Sequence, residues 1–195
     1  MTRGGPPSPH AASLRALGLP PEATARLCRY LDLLARWKGR VNLTAARSPE
    51  ERVAVLVAEV APAAALLEPA SRLIDVGSGN GSPGLVLALL RPDLSATLLE
   101  PRLRRWAFLR EASRAAGRPE LDVRRERHDR YAGPPAAVVT LRGLALPLEA
   151  LRPLVRKGGR VIVFGGEAAG GGPFVLESRL RLPTSEARVF RECST

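Results

Sequence analysis

The chain has 195 residues, a formal net charge of +11, 45% apolar residues and only 4% aromatic ones. That apolar content excludes a disordered chain, and the length suits one domain with a core of Leu, Val, Ala and Ile. The charge and the pI near 11.2 point to a polyanionic partner, most simply nucleic acid; the competing reading is an arginine-biased genome.

Cys28 and Cys193 stand far apart, in no metal-like spacing. They indicate a reducing compartment, no disulfide framework and no metal. No apolar run is long enough to span a bilayer, and Met1–His10 lacks the apolar stretch of a signal peptide. A cytoplasmic protein without membrane attachment is expected.

In chain order, residues 1–19 read as a flexible start, with a helical turn or two at Ala12–Leu17. His10 has no role in this reading. Pro20-Pro21 opens a helix on which Leu27, Tyr30, Leu31, Leu34 and Trp37 share a face. Asn42-Leu43-Thr44 is a connector. Ser48-Pro49-Glu50-Glu51 predicts a capped helix start, with Val53, Leu56, Val57 and Val60 as its buried stripe; Pro62 kinks or ends that helix. From Arg72 the pattern becomes strands alternating with helices. Strands are predicted at Arg72–Val76, Ser95–Leu99, Leu121–Arg124, Ala136–Thr140 and Arg160–Phe164. Helices are predicted at Pro83–Leu90, Arg102–Ala116 and Leu146–Leu154. This is an α/β chain with a parallel sheet and helices on both faces. Gly158-Gly159 is expected to turn into the fifth strand, and 165–173 to be a glycine-heavy loop. Phe174–Leu182 and Arg188–Glu192 look like a closing antiparallel pair. One domain is expected over 1–195, with a helical cap at 20–70 and a cofactor-binding sheet at 71–192.

The most informative stretch is Leu73–Gly84, in which an apolar run ends in Asp75 and the alternating glycines Gly77, Gly79 and Gly81 precede a helix. The next strand ends in Glu100, which is placed to hold a ribose diol. Gly79-x-Gly81-x-x-Gly84 also fits the dinucleotide fingerprint. A pyrophosphate at this turn would be repelled by Asp75, however, whereas a sulfonium or ammonium group would be attracted. The pattern favours S-adenosylmethionine over NAD.

Leu73–Gly84, Ala96–Pro101, Arg104-Arg105 and Phe108-Leu109 resemble the glucose-inhibited division protein B family (RsmG/GidB), small-subunit ribosomal RNA methyltransferases. Upstream, Trp37, Val41–Ala45 and Arg47-x-Pro49-Glu50 match that family's helical segment. Downstream, Thr140–Ala145 stands at its Ser-Arg-Ala motif. The resemblance spans roughly residues 14–192. It implies a Rossmann-like class I methyltransferase with a seven-stranded, mostly parallel sheet, acting with S-adenosylmethionine on guanine N7 of small-subunit (16S) ribosomal RNA. It places Gly77 and Ser82 in the first cofactor loop, Glu100 at the ribose, His128 and Asp129 at the adenine, and Arg142 near cofactor and substrate as the catalytic candidate. The chain departs from the family on the substrate side. It has Glu59 and Pro62 but no His-x-x-Asp-Ser, Leu141 and Gly143 around Arg142, and Phe164-Gly165-Gly166 instead of a Leu-Lys-Gly turn.

Guanine N7 needs no general base, which suits a sequence without a Ser–His–Asp or Cys–His constellation. Arg102, Arg104, Arg105, Arg110, Arg114, Arg118, Arg124, Arg125, Arg127 and Arg130 read as a phosphate-facing run. The rival readings are a diverged RNA- or cofactor-binding module, an NAD-dependent oxidoreductase, and a methyltransferase for a small molecule or protein.

Overall fold

The central strands from Arg72 onward are short runs of Leu, Ile, Val and Ala that follow polar or glycine- and proline-containing turns. A computed structural model describes residues 7–37, 39–166 and 171–193. Residues 1–6 of the expected flexible start and 167–170 of the expected glycine-heavy loop lie outside that part. The strands are β1 (Arg72–Val76), β2 (Ser95–Leu99), β3 (Asp122–Arg124), β4 (Ala136–Arg142), β5 (Val155–Phe164), β6 (Phe174–Arg181) and β7 (Glu186–Glu192). They form one seven-stranded sheet in the order β3-β2-β1-β4-β5-β7-β6. The first five strands are parallel, and β7 lies antiparallel to both β5 and β6. Ala136–Leu141 of β4 are all buried, as expected of a central parallel strand covered on both faces. The strand order reverses beside β1, so the carboxyl ends of β1 and β4 flank the crevice where such sheets take ligands.

The cap begins with α1 (Ala11–Ala16) and α2 (Pro21–Trp37). The face predicted for α2 is inward: Leu27, Tyr30, Leu31 and Leu34 are buried. Phe108 of α5 (Leu103–Ala115) meets that face, its ring 5.6 Å from Trp37 edge-on and 6.4 Å from Tyr30. The start of the chain is not loose from Ser8 onward, contrary to expectation. His10 is fully buried and stands 2.7 Å from Asp32 Oδ1 through Nδ1 and 3.2 Å from Arg52 Nη1 through Nε2. A guanidinium only donates, so Nε2 accepts and the Nδ1 hydrogen goes to Asp32.

The capping box at Ser48 is present, with the Ser48 hydroxyl accepting from Glu51 N and the Glu51 carboxylate accepting from the backbone of Arg47 and Ser48. The predicted helix is broken into pieces: α3 (Pro49–Val53), a π-helical turn over Ala54–Ala58 and a 3₁₀ turn over Ala61–Leu66 that holds Pro62 in its first turn. The apolar stripe survives this change, since Val53, Leu56, Val57 and Val60 are all buried.

Two other expectations are corrected. The helix predicted at Leu146–Leu154 is a 3₁₀ turn at Leu148–Leu154 with Pro153 inside it. Gly158-Gly159 does not turn into β5. It is an irregularity within it: Ala136 pairs with Val155 but Val138 already pairs with Arg160. A side chain on Gly159 would collide with Val155 and the Ala137 carbonyl, so glycine lets the displaced backbone lie close to β4. Among the described residues no helix is long and apolar enough to cross a membrane.

Candidate active site

At the end of β1 the chain reverses sharply over Gly77-Ser78. Both amides donate to the Leu99 carbonyl of β2, at 2.9 and 3.0 Å, which locks the corner onto the neighbouring strand. Gly77 has φ +70°, and a β-carbon there would collide with Leu144. The exposed Leu144 side chain packs onto the bare backbone here, which only a glycine allows. Glu100 is buried; its Oε2 accepts from Gly79 N at 3.0 Å and its Oε1 from Arg102 N at 2.8 Å. Two backbone amides thus fix the carboxylate in place, with lone pairs left for hydroxyl donors.

The cleft has two compartments that share Gly77 and Arg105. The first, about 250 Å³, is lined by Val76, Leu99, Glu100, Pro101, Glu126 and His128 among others. The second, about 290 Å³, is lined by Thr44, Ser78, Gly79, Asn80, Ser82 and Arg142 with the apolar Leu43, Val55 and Leu56. The first therefore mixes two carboxylates and an imidazole with the guanidinium groups of Arg102, Arg105 and Arg127; the second offers two guanidinium groups and no carboxylate.

Arg142 ends β4. Its Nη1 donates to the Val55 carbonyl at 2.9 Å and approaches Ser82 Oγ at 3.2 Å, while Ser82 Oγ donates to the Leu56 carbonyl at 2.8 Å. The π turn makes this possible. Val60 N returns to Val57 O rather than to Val55 or Leu56, so those two carbonyls turn to side chains from the sheet side. Burial depresses the Arg142 pKa, and the Glu59 carboxylate opposes the shift. Glu59 is itself buried, and accepts from Thr184 N at 2.7 Å, from the Thr184 hydroxyl at 3.0 Å and from the Ser185 hydroxyl.

Of the residues predicted from sequence, Gly77, Gly79, Ser82, Glu100, His128 and Arg142 line the cleft. Asp75 and Asp129 do not. The Asp75 carboxylate is fully buried behind the corner, where Thr140 Oγ1 donates to Oδ1 at 2.6 Å and Oδ2 finds no hydrogen-bond partner among the described residues. Burial raises its pKa to about 6 against the hydrogen bond from Thr140. A β-carbon on Gly84 would collide with this carboxylate, so α4 (Gly84–Leu90) starts directly on top of it. Asp129 lies outside the cleft, exposed and paired with Arg127 at 3.2 Å. Arg105 and Glu126 line the cleft but were not singled out for it from the sequence, and Glu59 was noted only as a departure from the family. Arg105 stood in the basic run, and nothing in a run of arginines shows which one turns inward.

That run is also divided. Arg118 is buried and donates to the carbonyls of Ala88 and Leu94, so it is a core tie and not a phosphate contact. Arg110 stacks over Trp106 at 5.1 Å, and Arg124 pairs with Asp122 at 2.7 Å. The side chains of Arg102, Arg104, Arg114, Arg125 and Arg130 are exposed and make no hydrogen bond or ion pair among the described residues.

This strand order, with an acid-flanked glycine corner at the switch point, defines a Rossmann-like methyltransferase fold. Solved structures of that class share it. An RNA methyltransferase from Salinibacter ruber in complex with S-adenosyl-L-homocysteine aligns with a TM-score of 0.53, at 19% identity over 71% of this chain and 86% of that one. A SAM-dependent methyltransferase from Aquifex aeolicus gives 0.56, at 10% identity over 85% and 98%. In sequence, residues 23–171 match the GidB family, rRNA small subunit methyltransferase G, and the chain belongs to that family. Two relatives bearing the name ribosomal RNA small subunit methyltransferase G come from Leptothrix cholodnii and Halorhodospira halophila. The first is 34% identical over 80% of this chain and 76% of its own length; the second is 39% identical over 74% and 70%.

Proposed function

We propose that this chain methylates N7 of a guanine in small-subunit ribosomal RNA. Membership of the GidB family makes it an S-adenosylmethionine-dependent ribosomal RNA methyltransferase; the guanine N7 target and the role of each residue are the proposed part. The observation that carries the reading is the buried Glu100 carboxylate, fixed by two backbone amides beside the glycine corner, in a cleft whose second compartment carries Arg142 and no carboxylate. The residues fit the cofactor. The compartment between Gly77 and His128 has room for a nucleoside, and Glu100 presents an ordered buried carboxylate in it. When bound, S-adenosylmethionine supplies a methyl group on a positively charged sulfur.

Glu100 holds the ribose hydroxyls, with His128 and Leu99 bounding the base beyond them. Gly77 and Gly79 let the sulfur-bearing chain pass close to backbone, and Leu144 covers it from the β4 side. Arg142, pinned by Val55 and Ser82, faces the entering nucleotide and holds a phosphate or stacks on the base. Guanine N7 carries a free lone pair, so no residue has to remove a proton. The chain's work is alignment and exclusion of water, which accounts for about 7–11 kcal/mol of barrier in well-oriented reactions. The exposed arginines supply sequence-independent affinity for the RNA backbone. An enzyme with this substrate works in the cytoplasm.

The test is incubation with small ribosomal subunits and S-adenosylmethionine labelled in the methyl group, followed by nucleoside analysis. Label in 7-methylguanosine at one position is expected. Label in another nucleoside overturns the N7 assignment, and no label in RNA overturns the whole reading.

A further inference from the structure

Arg105 is the one charged residue that lines both compartments of the cleft. It sits in the first turn of α5, five residues after Glu100, and its half-buried side chain crosses back over the corner. One guanidinium nitrogen, Nη1, stands 3.8 Å from where a β-carbon on Gly79 would be. Among the described residues its only hydrogen bond runs from Nη2 to the Asn42 carbonyl at 3.3 Å. A guanidinium has five donors, so most of its capacity is uncommitted and directed along the glycine corner.

The compartment it enters is built for an anion. Its titratable lining residues are Arg105 and Arg142, and the Asn80 side chain is already spent, its amide on the Leu43 carbonyl and its oxygen on Ser82 N. Arg142 is tied through Nη1 alone, to Val55 and Ser82, and its remaining donors are the ones assigned above to the entering nucleotide. A ligand whose ribose sits on Glu100 and whose tail passes Gly77 meets Arg105 next. We infer that Arg105 binds the α-carboxylate of the cofactor's amino-acid tail and so serves as the cation that distinguishes an intact amino-acid tail from a bare adenosyl thioether. This rests on the cofactor reading above and deepens it. The flat fork of a guanidinium matches a carboxylate through two parallel hydrogen bonds, which a lysine cannot reproduce.

The experiment compares two ligands by calorimetry. S-adenosylhomocysteine carries the carboxylate; 5′-methylthioadenosine keeps the adenosine and the sulfur but has no amino-acid tail. Arg105→Met keeps the length and apolar stem of the side chain and removes the charge. The loss of a charge-assisted contact predicts about a tenfold to a hundredfold fall in affinity for S-adenosylhomocysteine. Affinity for 5′-methylthioadenosine is expected to stay within about twofold, which also shows that the pocket is folded. Arg105→Lys should recover part of the loss. Equal losses for both ligands, or no loss for either, overturn the inference. So does an unchanged cofactor affinity joined to a raised KM for ribosomal subunits, which assigns Arg105 to an RNA phosphate. If the unmodified protein binds neither ligand, it is the cofactor reading itself that fails.

Discussion

The glycine corner and the helical cap touch at Tyr30, Leu43 and Leu56, yet each is held together by different means. The corner is a backbone device. Its hydrogen bonds run between main-chain groups of β1 and β2 and from amides to Glu100, and its shape follows from left-handed positions such as Gly77. The cap is a buried polar device. His10 reaches Asp32 and Arg52 across 22 and 42 residues of sequence, and Glu59 ties the π turn to the β6–β7 connection at Thr184 and Ser185. Changes in the corner should therefore appear in ligand affinity and turnover, with stability spared. Changes in the cap should appear in stability, with affinity spared.

The largest effect is expected from Gly77→Val. A branched side chain is forced into a left-handed backbone and against Leu144, where ligand must approach. Cofactor affinity should fall about a thousandfold or more, while the strain of about 1–2 kcal/mol leaves the domain folded. Titration calorimetry beside a thermal melt reads both; full affinity would show that the ligand does not pass this glycine. Arg142→Ala comes next. It removes a group beside the methyl-transfer position, so kcat on ribosomal subunits should drop about a hundredfold, with cofactor affinity changed far less. If instead the cofactor Kd rises as much as kcat falls, Arg142 belongs to the cofactor alone and the two compartments do not have separate tasks.

The two regions also differ in what the sequence disclosed. The boundaries of β1 and β2 were legible to the residue, because a buried parallel strand is a bare apolar run closed by an acid or a glycine. The capping box at Ser48 was legible because its partners are three residues apart. Arg118 and Arg105 were not. Both look like surface arginines, and only the packing of α5 and of the connection after it sends one to the Ala88 carbonyl and the other over Gly79. Asp75 was legible as an important acid, but its direction was misread. Alternation along β1 does not reveal that Thr140, across the ladder, captures its carboxylate. His10 was misread for a related reason: the partners of its ring, Asp32 and Arg52, are distant in sequence.

That histidine gives the cleanest challenge from the cap side. His10→Ala leaves the Arg52 guanidinium and the Asp32 carboxylate without the ring between them. Arg52 is buried but retains the Arg47 carbonyl at 3.1 Å, and Asp32 is partly open to water, so the loss is less than for a sealed pair. A cost of about 2 kcal/mol is expected, or roughly 4–8 °C in Tm, with cofactor affinity unchanged. An unaltered melt would mean that the cap does not rely on this contact. A lost affinity with an unaltered melt would erase the distinction between the two regions.

Asp75 is the residue at which the corner reaches the sheet interior, and its signature should be small and tied to pH. Its carboxyl is buried, so its pKa in the native state is raised from 3.8 to about 6. An acid with a raised native pKa keeps its proton longer when folded than when unfolded. Between those two values the native state binds more protons, so stability falls as pH rises through the window. With the native value near 6, the carboxyl should cost the fold about 1 kcal/mol on going from pH 5 to pH 7. Asp75→Asn cannot ionise and lacks this dependence. Urea unfolding of both proteins at pH 5, 6 and 7 isolates it, because every other titrating group cancels in the difference. The stability of the unmodified protein relative to the variant should decline by that amount across the series. A flat difference would mean that the carboxylate ionises as freely as in water, which is incompatible with a group sealed beneath Gly84 and bonded to Thr140. The corner would then be open to solvent from behind, and its rigidity would have to come from the cap after all.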